Sequence, residues 1–357
     1  MERKLFFFPL LLFFAAFILD KQLYIGGFEE TFLRTATFLN YEHKVDMLDE
    51  LAVYLQTPGR RKALVVLGNS RTMSFENSYF DSKYKDWILF NFSVPGGTSD
   101  YFLYLTEEMK ARGIHPDMVV LTVTPQGFNE TPAVPMDEVL ISGLPFRFIV
   151  KHVGDFKTDD LMNYAAKKLF WNYRYRPKAE VIISRLEQHE RGLRVFRQFR
   201  YQTATALHNN RGSVPFQFQG IPAQNEDFLL LHAKNTWNDF FRPYKLSTGQ
   251  VNFTEKTIQL LRGQNIPTLM LWARVQKNLR NMKETVVVTP SGEPPRTVRG
   301  LWQPRIQAIA AKYSVRFVDM NYGNTMTCDH FYDSSHLAQV CFPEFTDAIM
   351  KEIQTIK

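Results

Sequence analysis

Five short, largely apolar runs recur along the chain: Ala63–Leu67, Trp87–Phe92, Met118–Val123, Pro267–Trp272 and Val315–Asp319. A run of this length bounded by turn residues fits a strand buried on both faces. The turns are present, as Gly59-Arg60-Arg61-Lys62 before the first run and Pro95-Gly96-Gly97 after the second. Between the runs lie stretches of helical length. Thr98, Ser99 and Asp100 can cap a helix that runs to Arg112 and stops at Gly113, and Thr254–Arg262 stops at Gly263. Leu301–Tyr313 and Phe342–Ile356 complete the set. Strands buried on both faces that alternate with such helices predict an α/β domain, a parallel sheet between two helical layers. A chain of 357 residues, 45% hydrophobic and 22% charged, has the material for it.

From about Pro145 to Asn252 the rhythm breaks. Helices are expected over Asp159–Tyr173 and Ala179–Leu207, with an apolar stripe at Ile182, Leu186, Leu193 and Phe196. Arg191, Arg194, Arg197 and Arg200 recur at every third position. Between Phe146 and Pro215 there are fourteen Lys/Arg against six Asp/Glu, so the formal net charge of +7 is concentrated here. Such a segment suits an anionic partner or a solvated helical face, and nucleic acid conflicts with the export argued below. It reads as an insertion between sheet strands that caps a site or faces a partner. A second irregular loop, Val286–Arg299, is rich in Pro, Gly and Thr and is expected to be mobile.

The N-terminus sets the compartment. Leu5–Leu19 is apolar apart from Pro9, behind Arg3 and Lys4 and ahead of Asp20 and Lys21. Fifteen residues are short for a span of about twenty, with Lys21 and Tyr24 placed to anchor its end. No good small-x-small cleavage site follows, which favours a retained anchor over a signal peptide. With the positive charges ahead of the span, the remainder is expected on the outer face of the cytoplasmic (inner) membrane, the periplasmic or extracytoplasmic side. The expected organisation is an anchor over residues 1–24, a helical connector over 25–58 (helix from Glu29 to Leu55), and an α/β domain over 59–357 with its insertion at about 145–252. Cys328 and Cys341 are the two cysteines. In an exported chain they allow a disulfide worth about 3 kcal/mol by loop closure, the alternative being two buried thiols. Their spacing suggests no zinc site.

Two constellations carry chemistry. Leu67-Gly68-Asn69-Ser70-Arg71-Thr72 places a serine at the carboxyl end of the first strand, where open α/β sheets build their sites. Asp333-Ser334-Ser335-His336 follows the last strand and precedes the last helix. Asp and His three apart at a helix start would share one face, letting the carboxylate orient an imidazole that accepts a serine proton. Either pattern alone also occurs as an ordinary turn or cap.

Together they resemble the SGNH (GDSL-like) hydrolases. Gly68-Asn69-Ser70 is similar to that family's Gly-Asp-Ser block, and Pro95-Gly96-Gly97 after the second strand to its glycine block. Gly127-Phe128-Asn129-Glu130 resembles its Gly-x-Asn-Asp block, and Asp333 with His336 its Asp-x-x-His block. The likeness covers roughly residues 60–140 and 250–357. There are two departures: Asn69 replaces the usual Asp, and Thr124-Pro125-Gln126 separate the third strand from Gly127. An anchor joined to one exported domain is most similar to the members that acylate or deacylate cell-envelope polymers, such as the D-alanyl transfer protein of teichoic acid synthesis and the alginate O-acetylation proteins.

The resemblance implies a three-layer α/β/α, flavodoxin-like fold and a serine esterase or O-acyltransferase with Ser70, Asp333 and His336 as triad. It implies an oxyanion hole from the Ser70 and Gly96 N–H groups and the Asn129 amide, each such donor worth about 3 kcal/mol in a transition state. Neither metal nor organic cofactor is implied. The expected partners are an acylated envelope glycan or lipid, the membrane itself and a membrane acyltransferase. Arg71 and Arg274 are candidate substrate contacts, the first weighed against pairing with a local carboxylate and the second against a surface salt bridge. Asp329 and His330 read as loop residues. The rival reading is an SGNH-fold scaffold without catalysis that binds an anionic polymer or a membrane-protein partner.

Overall fold

Lys62–Leu67 (β1) has one solvent-facing residue, Lys62, and five buried ones. A strand sealed on both faces needs neighbours on both edges, and β1 has them in Trp87–Asn91 (β2) and Met118–Thr122 (β3). Thr268–Trp272 (β4) pairs with β3, and Arg316–Asp319 (β5) closes the sheet. All four pairings are parallel, and the order is β2-β1-β3-β4-β5. The chain winds outward in both directions from β1 and β3, so a crevice opens between the carboxyl ends of these two strands.

The computed structural model describes residues 2–25, 31, 39–73, 75–130, 136–176, 178–188, 190–213, 222–323 and 325–356. In chain order its helices are α1 (Glu2–Ile25), α2 (Leu39–Leu55), α3 (Asn77–Lys83), α4 (Ser99–Ala111), α5 (Phe146–Lys151), α6 (Thr158–Leu169) and α7 (Trp171–Tyr175). They continue with α8 (Ala179–Glu187), α9 (Glu190–Asn209), α10 (Glu226–Phe241), α11 (Thr248–Gly263), α12 (Lys277–Thr285), α13 (Val298–Lys312) and α14 (Phe342–Gln354). Successive strand residues point to opposite faces, and the core divides accordingly. Ala63, Val65 and Leu67 pack with residues of α2, α4, α11 and α13, such as Leu48, Leu105, Ile258 and Ile306. Leu64 and Val66 pack with Phe80 of α3 and with Phe345, Ile349 and Met350 of α14. The result is the expected three-layer α/β arrangement.

Several expected boundaries shift. The helix expected over Asp159–Tyr173 is two, broken at Phe170, and the one expected over Ala179–Leu207 ends at Glu187 and restarts at Glu190. Of the expected stripe, Ile182 and Leu193 are half-buried and Leu186 is exposed, while the Phe196 side chain lies outside the description. Helix α9 packs along α2, and α11, which packs along α4, begins at Thr248, so the insertion ends a few residues before Asn252. The loop at Val286–Arg299 folds back on itself: Val287 bridges Thr297, and the Val288 N–H donates to the Arg296 carbonyl at 2.9 Å. Of the helix expected from Glu29, residues 39–55 are observed, and 26–30 and 32–38 lie outside the described residues.

Helix α1 leaves Phe7, Phe8, Leu10, Leu11, Leu12, Phe13 and Phe14 exposed. Its far end is fastened to the insertion. The Asp20 carboxylate accepts from the Trp171 and Asn172 N–H groups at 2.6 and 2.8 Å, capping α7, and the Lys21 ammonium donates to the Leu169 carbonyl at 2.6 Å. Among the described residues no helix is long and apolar enough to cross a membrane.

Candidate functional site

The chain leaves β1 through Gly68 and Asn69 into a single 3-10 turn, Ser70–Thr72. Asn69 caps that turn: its Oδ1 accepts from the Arg71 N–H and its Nδ2 donates to Thr124 Oγ1, both at 3.1 Å. The residue in place of the usual aspartate thus ties the segment after β1 to the segment after β3, across the crevice. From β2, Asn91 donates to the Thr72 carbonyl at 2.8 Å and holds the turn from the other side.

Asp333 and His336 come from a loop rather than from the first turn of a helix. The Tyr332 N–H donates to the His336 carbonyl at 3.0 Å, and the Ala338 N–H to the His330 carbonyl at 2.9 Å, closing a narrow hairpin. Inside it Asp333 Oδ1 accepts from the Ser335 and His336 N–H groups at 2.7 and 2.9 Å. A disulfide between Cys328 and Cys341, with Cα atoms 5.5 Å apart, clamps the base of the hairpin. The expectation of a shared helix face is corrected: an aspartate turn, not helical periodicity, aligns the two side chains.

The three triad candidates meet. Ser70 Oγ lies 2.8 Å from His336 Nε2, and His336 Nδ1 lies 2.8 and 3.0 Å from the two Asp333 oxygens. Burial alone would raise the Asp333 carboxyl, but the hydrogen bond and charge of His336 and the Ser335 N–H outweigh it and hold it at about 2. An ionised Asp333 only accepts, so His336 Nδ1 carries the proton and Nε2 accepts from the Ser70 hydroxyl. This is the relay that makes a serine a nucleophile.

The relay opens on a pocket of about 390 Å³ lined by Ser70, Gly96, Gly97, Gly127 and His336 among others. Gly96 has φ +67, and neither its N–H nor that of Ser70 has a protein acceptor among the described residues. Two unpaired backbone donors beside a serine can receive a developing oxyanion. Asn129 also lines the pocket, but its Nδ2 donates to the Phe240 and Pro243 carbonyls and its Oδ1 accepts from the Lys245 N–H, each at 2.9 Å. The amide donors are committed to the last turn of α10 and the chain that follows it. The expectation that Asn129 completes the oxyanion hole is therefore replaced by a structural role.

Arg274 does not line the pocket. It pairs with Asp329 at 3.1 Å and donates to the Met326 carbonyl at 2.6 Å, bracing the approach to the Asp333 hairpin. Arg71 does line the pocket, and instead of a carboxylate it meets Gln126 Oε1 at 2.7 Å and Ser335 Oγ at 3.1 Å. One contributor absent from the sequence reading is α10, which presents His232, Thr236 and Phe240 to the pocket. His232 Nδ1 accepts from the Ser334 N–H at 3.3 Å and sits 3.0 Å from Ser334 Oγ, docking the insertion onto the triad hairpin. The i, i+4, i+8 spacing of these three residues on one helix face was the available signal.

A family model, described as a protein of unknown function (DUF1574), matches residues 1–353. The chain belongs to the DUF1574 family. A search of curated proteins found no match.

Proposed function

We propose that this DUF1574 protein is a serine esterase or O-acyltransferase of SGNH type that works through an acyl-serine intermediate. The observation that carries the reading is the unbroken Ser70–His336–Asp333 relay beside two unpaired backbone N–H donors at the crevice of a parallel sheet. Ser70 Oγ attacks an ester carbonyl while His336 Nε2 takes the hydroxyl proton. The same nitrogen returns it to the leaving alcohol, and water or a second alcohol then accepts the acyl group by the reverse path.

The exposed apolar face of α1, with the basic pair Arg3 and Lys4 ahead of it, supports a membrane-tethered protein whose domain lies outside the cytoplasm. In that setting the acyl ester belongs to an envelope glycan or lipid, and a membrane acyltransferase is the natural supplier of acyl groups. The Asn129 commitments are the one feature favouring a non-catalytic scaffold. A 2.8 Å serine–histidine contact weighs against that reading, since a scaffold needs no aligned relay.

The test uses the full-length protein in a neutral detergent with p-nitrophenyl acetate. Release of nitrophenol and a 42 Da mass increase on Ser70 after an acid quench are expected, both absent from Ser70→Ala. Equal turnover by Ser70→Ala would refute the reading.

A further inference from the structure

Arg71 is a cation buried to within 7% of full enclosure, directly beside the nucleophile, and among the described residues no carboxylate forms an ion pair with it. Its Nη2 is held by two neutral groups, the Gln126 amide oxygen at 2.7 Å and the Ser335 hydroxyl at 3.1 Å. Its Nε is buried without a partner, and no described residue accepts from Nη1. Asp333 is the carboxylate whose field reaches it, yet both Asp333 oxygens are occupied by His336, and one also by two N–H groups. The guanidinium stays charged at neutral pH: burial, partly offset by Asp333, brings it down to about 10. Its charge is felt behind the pocket, where burial and then Arg71 push the Lys283 ammonium well below its ordinary value.

A buried charge without an ionic partner is costly, and the cost falls when an opposite charge with hydrogen-bond acceptors arrives. A guanidinium whose Nη2 is fixed by two neutral acceptors keeps its full charge and leaves Nη1 to donate to an incoming oxyanion. We propose that Arg71 forms an anion subsite, so that the substrate is an ester carrying a carboxylate or a phosphate next to the scissile bond. The ester part of this rests on the esterase reading; the anion part does not.

The test is calorimetric titration of the full-length protein in neutral detergent with benzoate and, separately, phenylphosphonate, against benzamide as the uncharged control. At least one anion is expected to bind, with affinity lowered tenfold or more in Arg71→Met, less in Arg71→Lys, and unchanged in Ser70→Ala. The better-bound anion tells a carboxylate substrate from a phosphate one. If Arg71→Met does not fold, protection of Arg71 from phenylglyoxal, mapped by peptide mass spectrometry, carries the assignment in the wild type. Binding of neither anion, equal binding by folded Arg71→Met, or Arg71 modification unaffected by the anion overturns the proposal. Failure of the esterase reading looks different: Ser70 is inert while anion binding persists.

Discussion

Gly68 has no room for a side chain. A Cβ there would collide with Thr72 Oγ1 and lie 2.6 Å from Thr122 Oγ1 and 2.8 Å from Ser93 Oγ, three hydroxyls from three segments converging behind the nucleophile. Gly68→Ala is therefore expected to destabilise the fold by about 1–3 kcal/mol through overpacking and to displace Ser70, two residues on. Thermal melting reads the first effect and serine reactivity the second. Asp333 gives a pH-dependent prediction. An acid whose native pKa lies below its unfolded value stabilises the fold above the unfolded value and loses that stabilisation as pH falls through the native one. For a carboxyl lowered from 3.8 to about 2, the window runs from about pH 4 down to pH 2. Wild type is expected to lose about 2 kcal/mol across it that Asp333→Asn never had. Parallel acid titrations of the two proteins would contradict this.

At the scale of elements, Asn129 and the Cys328–Cys341 hairpin separate support from chemistry. Asn129 satisfies a carbonyl in the last turn of α10 and a carbonyl and an N–H of the chain after it, so Asn129→Ala should lower stability by about 1–3 kcal/mol. Serine reactivity should survive; a hundredfold loss of reactivity at unchanged melting temperature would restore the oxyanion role. Replacing both cysteines by alanine should cost about 3 kcal/mol in chemical denaturation and loosen the hairpin that carries Asp333 and His336. A cost near zero would mean that the hydrogen bonds closing the hairpin suffice. These elements also mark where the sequence was readable. The strands were, because burial on both faces leaves continuous apolar runs. The Asp333–His336 spacing points to a pair, but it fits a helix face and an aspartate turn equally well, because a three-residue separation serves both. His232 is about a hundred residues from the hairpin it touches, so only the tertiary packing of α10 brings the two together.

For the whole molecule, sheet order accounts for the position of the site. Because β1 and β3 are adjacent and the chain departs from them in opposite directions, the segments bearing Ser70 and Gly127 face each other across one crevice. The hairpin after β5 reaches over from the far edge, and α10 of the insertion supplies the remaining wall. The order of the strands was not readable from their patterns, since each apolar run is compatible with several neighbours. The central claim is that this convergence activates Ser70. Labelling of the purified protein with a fluorophosphonate probe tests it most directly, because the probe requires a nucleophile and a base but no particular substrate. Labelling of wild type that maps to Ser70 and disappears in both Ser70→Ala and His336→Ala is the predicted result. A well-folded wild type that remains unlabelled, or labelling that persists in His336→Ala, would contradict it.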